Sequence, residues 1–238
     1  MMRVRPPARA HLRFMERASH FAGLAPEAIF TKIWESNLWG AETSRSGLGS
    51  EDEETASLRT GLPVLLKRLH ARTLLDLPCG DFGWMSRTQC DLDRYIGADI
   101  VNEIVRRNAA LFATRDGRIS FRRLDLLGDA LPAADAILCR DCFVHLSFAN
   151  IRRALVNLRA SNIYWLIATT FPDHTDNQDA LDGDWRLLNM EAAPFGLPPA
   201  FTLLNESCRE AGGAYADKSL GAWRIADVPV LPESLGGT

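Results

Sequence analysis

From Arg72 to Phe171 the sequence alternates short apolar runs with amphipathic ones, and that alternation decides the class of fold. TLLDL (73–77), RYIGADI (94–100), ISFRRLDLL (119–127), ADAILCR (134–140) and NIYWLIATTF (162–171) read as strands. VNEIVRRNAALFAT (101–114) and HLSFANIRRALVNLRA (145–160) read as helices between them. Strands apolar on both faces and separated by helices predict a parallel sheet covered on both sides. Two later runs, FTLLNES (201–207) and SLGAWRIADV (219–228), are too close in sequence for a helical crossover, so they predict an antiparallel hairpin at the end. The expectation is an α/β, Rossmann-like seven-stranded sheet with an antiparallel terminal hairpin and helices on both faces.

The first strand ends in LDLPCGDFGW, a tight turn at Pro78, Cys79 and Gly80 with a helix expected just beyond. Such a turn opens a nucleotide-sized crevice at the carboxyl edge of an α/β sheet. Charge narrows the guest. Asp76 and Asp81 flank the turn, and Pro78 removes a backbone N–H from it. A pyrophosphate needs free N–H groups and no carboxylate nearby. A cationic ligand without phosphate suits this turn, and S-adenosylmethionine, with its sulfonium, ammonium and ribose, is of that kind.

Asp99 closes the second strand 23 residues after Asp76, where an acid accepts hydrogen bonds from ribose hydroxyls; capping the next helix is its structural alternative. Asp125 ends the third strand, where a carboxylate can accept from an adenine amino group or serve an ordinary turn.

In order and spacing, LLDLPCGDFGW, YIGADI, RRLDLL and ADAILCRDCFVHLSF resemble the class I S-adenosylmethionine-dependent methyltransferases over residues 72 to about 171. The resemblance implies that Asp76, Pro78, Gly80 and Asp81 hold the methionine end, Asp99 and Ile100 the ribose side, and Asp125 with Leu126 the adenine. It also sets Arg140 beside the cofactor. The family's first motif is D-x-G-x-G-x-G; here the glycine positions hold Pro78, Gly80 and Phe82. NLWG, SRSGLGS, DWRLLNM and PFGLP also look like a bacterial branch of small methyltransferases.

RDCFVH places Asp141 and His145 four residues apart, on one face if a helix starts there. Either could take a proton from an acceptor hydroxyl, His145 because its ordinary pKa is near neutral. Asp173 and His174 follow the fifth strand and could line an acceptor pocket.

Residues 1–60 read as a helical lead-in and lid loop, and 61–238 as the methyltransferase domain. PEAIFTKIWESNLWG (26–40) is a helix stopped by Gly40, and AETSRSGLGSEDEETASLRTG (41–61) a polar loop. Trp34, Trp39 and SGLGS could fold over the cofactor. SLRTGLPVLLKRLH (57–70) leads into the first strand.

The chain has 238 residues, 47% of them hydrophobic, enough for a sizeable core. Its net charge of −3 offers no basic surface for nucleic acid. Only Lys32, Lys67 and Lys218 are lysines. The start is basic (Arg3, Arg5, Arg9, Arg13, Arg17) without a secretory apolar core, and no apolar run has the length to span a membrane. Five scattered cysteines, including the pair Cys139 and Cys142, suggest a reduced, cytoplasmic protein without a metal site. The resulting expectation is an enzyme that uses S-adenosylmethionine to O-methylate a small polar acceptor such as a carbohydrate or other metabolite. The alternatives are an NAD(P)-dependent oxidoreductase and a non-catalytic module that binds S-adenosylmethionine. Oligomeric state is not legible.

Overall fold

A computed structural model describes residues 5–233, and Arg3 lies outside them. The strands are β1 (Thr73–Asp76), β2 (Arg94–Asp99), β3 (Ile119–Arg123), β4 (Ala136–Cys139), β5 (Trp165–Thr170), β6 (Thr202–Asn205) and β7 (Ser219–Arg224). They form one sheet in the order β3-β2-β1-β4-β5-β7-β6. β1 to β5 are parallel, and β7 runs antiparallel to both β5 and β6. The predicted sheet and terminal hairpin are both present.

Alternate residues of the central strands feed two cores. Leu74, Leu138, Ile167 and Leu220 face α3 (Ala56–Arg68), which buries Leu58, Leu62, Leu65 and Leu66 against them. Leu75, Ile137, Leu166 and Trp223 face α5 (Phe148–Ala160), which buries Ile151, Ala154, Leu155 and Leu158. Each fully buried leucine of this kind contributes about 2 kcal/mol. Because both faces are covered, the central strands read as unbroken apolar runs rather than alternating ones. α4 (Asn102–Phe112) packs on β2 and β3.

Ahead of the sheet lie α1 (Arg9–Met15) and α2 (Pro26–Ser36). Asn37, in the left-handed conformation, ends α2, three residues before the expected Gly40. Residue 60 falls within α3.

Two predicted helices differ. No α-helix follows the turn after β1; a single 3-10 turn, Met85–Arg87, stands there. Asp81 Oδ1 accepts from the Gly83 N–H at 3.0 Å, and Phe82 adopts φ 60°. This local turn breaks the helical path and sends Phe82, Trp84 and Met85 into the core beside Leu74. The helix expected from His145 starts instead at Phe148, where the Ser147 hydroxyl caps it by accepting from the Asn150 N–H. Asp141 and His145 therefore share no helix: Asp141 has φ 48°, and Phe143–His145 is a 3-10 turn.

Candidate functional site

The sheet order reverses between β1 and β4, and a cavity opens at the carboxyl ends of β1, β2 and β4. All eleven residues singled out for cofactor or catalysis, from Asp76 to His145, line this one cavity. Phe30 and Trp34 of α2, Trp39, and Arg45, Ser46 and Ser50 of the loop between α2 and α3 also line it.

The turn after β1 has no N–H left to give. Pro78 has none. Cys79 donates to the Ala98 carbonyl at 2.8 Å, Gly80 to Asp99 Oδ2 at 3.2 Å and Asp81 to Ser46 Oγ at 2.9 Å. Phe82 donates to the Cys79 carbonyl. A phosphate arriving here would meet spent donors and carboxylates.

Asp76 is 3% exposed. The Tyr95 hydroxyl donates to its Oδ2 at 2.5 Å, while Oδ1 accepts nothing among the described residues. Burial pushes its pKa up to about 7, against the pull of the Tyr95 bond and the Arg140 charge. Asp99 is likewise raised, to about 6, by burial. Its Oδ1 accepts from the Val101 N–H and its Oδ2 from Gly80, which leaves each oxygen a second lone pair. Asp99 does not cap α4, whose N-cap is Val101 with no side-chain cap bond, so the structural alternative fails and an open acceptor remains. Asp125 forms an ordinary turn, with Oδ1 accepting from Leu127 N–H at 2.8 Å. The Leu126 N–H donates to no acceptor among the described residues.

Asp81 holds the loop between α2 and α3. Its Oδ2 accepts from the Ser44 hydroxyl at 2.7 Å, and its own N–H reaches Ser46. Gly80 has φ 52°, and a Cβ there would come within 2.4 Å of Ser46 Oγ. Gly80→Ala is therefore expected to cost about 1–2 kcal/mol in chemical denaturation. It should also speed hydrogen exchange at residues 44–50, because the Ser46 hydroxyl that accepts the Asp81 N–H would be pushed away. Normal protection of residues 44–50 in the variant would count against this docking.

Arg140 and Asp141 line the opposite wall, and two charged partners that sequence reasoning missed, Glu206 and Lys218, pair with them from outside the lining. Arg140 pairs with Glu206 at 2.8 Å and Lys218 with Asp141 at 2.7 Å, and the Arg140 guanidinium also donates to the Gly49 carbonyl at 2.6 Å. Arg140 lies over the Trp84 ring. Burial raises the Asp141 pKa, but the Lys218 and Arg140 charges outweigh it and hold the carboxyl below its usual range. Asp141 is thus a committed ion-pair partner and a poor proton acceptor. Glu206 and Lys218 flank the terminal hairpin; the rarity of lysine in this chain was the only signal.

His145 is 7% exposed and stacks on Trp39 with ring centroids 4.5 Å apart. Its Nδ1 lies 2.7 Å from the Asp184 carbonyl. A carbonyl only accepts, so Nδ1 carries the proton and Nε2 keeps its lone pair. Nε2 has no partner among the described residues. Burial lowers the pKa to about 4 despite Asp141 and the Asp184 carbonyl, so the ring is neutral at pH 7.

Asp173 and His174 do not line this cavity. They sit beside Asp217, which takes the Asp173 N–H and pairs with Arg5. All five cysteines are free. Among the described residues no helix is long and apolar enough to cross a membrane.

No family model and no curated protein sequence matches the chain. Solved structures do. The N-methyltransferase NodS from Bradyrhizobium japonicum WM9 is 14% identical, with a TM-score of 0.51 over 74% of this chain and 98% of that one. The magnesium protoporphyrin IX methyltransferase ChlM from Synechocystis PCC 6803 is 15% identical, with a TM-score of 0.47 over 67% and 81%. The methyltransferase domain of a bacterial CtHen1 is 19% identical, with a TM-score of 0.44 over 49% and 66%. The likeness to NodS, together with the strand order and reversed β7, gives this chain the fold of the class I S-adenosylmethionine-dependent methyltransferases.

Proposed function

We propose that the protein is an S-adenosylmethionine-dependent methyltransferase acting on a hydroxyl oxygen of a small polar acceptor, a carbohydrate or comparable metabolite. The observation that carries the cofactor assignment is the turn after β1: every N–H of it is spent, and carboxylates surround it. That environment favours a cationic ligand without phosphate. Asp76 Oδ1 is free for an ammonium, Asp99 for ribose hydroxyls, and the Leu126 N–H for a ring nitrogen of adenine. When bound, S-adenosylmethionine supplies a methyl group activated by a sulfonium. The chain's part is to align the acceptor, exclude water with the lid, and take the hydroxyl proton on His145 Nε2.

The hydroxyl assignment rests on that neutral imidazole. A neutral amine attacks with its own lone pair and needs no base, whereas a hydroxyl gains nucleophilicity as its proton leaves, so a bare imidazole nitrogen suits the hydroxyl. The late loop lends a polar acceptor no support: Asn177, Asp179 and Asp182 do not line the cavity, Asp179 and Asp182 accept from the turn at residues 147–150, and Asn177 donates to the carbonyls of Asn189 and Ala193.

Quenching of the six tryptophans tests the reading. S-adenosylhomocysteine is expected to quench saturably and NADH not. The reverse result would make the protein a dinucleotide enzyme. Labelled S-adenosylmethionine in an extract of the source cells should then mark one small metabolite; cofactor binding without transfer to any acceptor would favour a non-catalytic module.

A further inference from the structure

His145 is held by a segment that the proposed chemistry has not used. Residues 183–186 satisfy four consecutive carbonyls of the turn that carries it. The Gly183 N–H donates to the His145 carbonyl at 2.8 Å and the Arg186 N–H to the Val144 carbonyl at 3.2 Å. The Arg186 guanidinium adds bonds to the carbonyls of Phe143 at 3.2 Å, Val144 at 3.0 Å and Leu146 at 2.5 Å. Asp184 supplies the carbonyl that accepts from the His145 ring.

Arg186 is unusual in what it lacks. No carboxylate lies within salt-bridge distance of it among the described residues, and its Nε is buried without a partner. The nearby acids are engaged elsewhere. Asp179 accepts from the Phe148 N–H, Asp182 from Ser147 N–H and Asn150, and Asp184 from His11 and the Trp185 N–H. The guanidinium lies instead over the Phe148 ring, 5.4 Å from its centroid. Burial pulls its pKa down to about 10, which still leaves it charged at neutral pH. Holding three carbonyls at once calls for the planar, many-donor fork that only arginine has.

We propose that Arg186 is a positioning residue for His145: its fork fixes the turn that aims the imidazole, and its charge, held in no salt bridge among the described residues, stands beside the ring. This rests on the reading of His145 as the proton acceptor. The charged groups facing His145 then oppose one another. The Asp141 carboxylate and Asp184 favour the imidazolium, and Arg186 disfavours it. With Nδ1–H tied to the Asp184 carbonyl and Arg186 repelling a second proton, Nε2 stays bare and directed by the turn rather than by chance.

The test reads His145 directly and needs no acceptor. In protein labelled with ¹⁵N-histidine, the ring nitrogens of His145 are followed against pH and assigned by their loss in His145→Gln. The natural protein should show Nδ1 protonated and Nε2 bare down to about pH 5. Arg186→Met should raise the titration midpoint by about one unit, a tenfold gain in proton affinity, and mix the two tautomers. Arg186→Lys, which keeps the charge and loses the fork, should mix the tautomers with the midpoint still low, and it serves if the Met variant does not fold. An unchanged midpoint and tautomer ratio in either folded variant, even with a lower melting temperature, would make Arg186 a mere strut and overturn the proposal. S-adenosylhomocysteine affinity is measured on the same samples. Its absence from the natural protein would refute the cofactor reading and leave the ring measurement standing; intact affinity with unchanged ring nitrogens would refute Arg186 alone.

Discussion

Asp76→Asn is expected to weaken S-adenosylhomocysteine binding about 10- to 100-fold at pH 8, the loss of one charge-assisted hydrogen bond in a buried site. Asp76 Oδ1 is the carboxylate oxygen at the end of β1 that no group among the described residues uses, and Tyr95 anchors its neighbour. The pH dependence is the sharper test. Burial raises this carboxyl to about 7, so the free protein holds a proton there that a cationic ligand must displace. Affinity should therefore fall as pH drops from 8 to 6, approaching tenfold per unit below the pKa, with Asp99, raised to about 6, steepening the fall. In the Asn variant the component due to residue 76 should vanish. Stability should move the other way. A carboxyl whose folded pKa lies above its unfolded one stabilises the fold at low pH, and that contribution is lost as pH rises through about 7. Unliganded Asp76→Asn should thus melt higher than the natural protein at pH 8, while binding less. Titration calorimetry from pH 5.5 to 8.5 measures the affinities and scanning calorimetry the melting; equal, pH-independent affinities would remove Asp76 from the site.

The features legible in the sequence share a physical cause. Strands buried on both faces must be apolar throughout, so β1, β2, β4 and β5 announced themselves, and the short link between β6 and β7 forced a hairpin. The carboxylates at strand ends were readable because chain direction alone sends those ends to one edge of a parallel sheet. What failed was local. Phe82, Trp84 and Met85 have spacings that fit a helix or a collapsed loop equally well, and the Asp81 turn chose the loop. Ser147 competed with Asp141 for the helix start and won through its hydroxyl. Long-range pairing was hidden altogether. Lys218 meets Asp141, and Arg186 grips residues 143–146, only after the sheet brings distant loops together, and no periodicity records that. Asp173 and His174 looked equivalent to the cavity residues because they too follow a strand, but Asp217 draws them to another corner.

On the proposed role, His145→Gln is expected to lower the rate of methyl transfer by about 10²- to 10⁴-fold while S-adenosylhomocysteine affinity stays within about twofold of normal, because His145 makes no hydrogen bond to the turn after β1 among the described residues. Gln keeps a donor for the Asp184 carbonyl, so the 3-10 turn should survive and the loss should report the missing base. Asp141→Asn should behave differently. Asp141 is held ionised by Lys218 and Arg140, so its removal leaves two buried cations facing Glu206 alone, and lost stability should accompany any lost rate. The two carboxylates and the imidazole also separate on the pH axis. At saturating S-adenosylmethionine, kcat should stay level from pH 8 to near pH 5, since His145 remains neutral until about 4. kcat/KM for S-adenosylmethionine should already fall below about pH 7, as Asp76 takes up its proton. A kcat that instead declined with a midpoint near 6.5 would mean an imidazole with an ordinary pKa, exposed rather than buried against Trp39. Full activity in His145→Gln would place the proton on another group altogether.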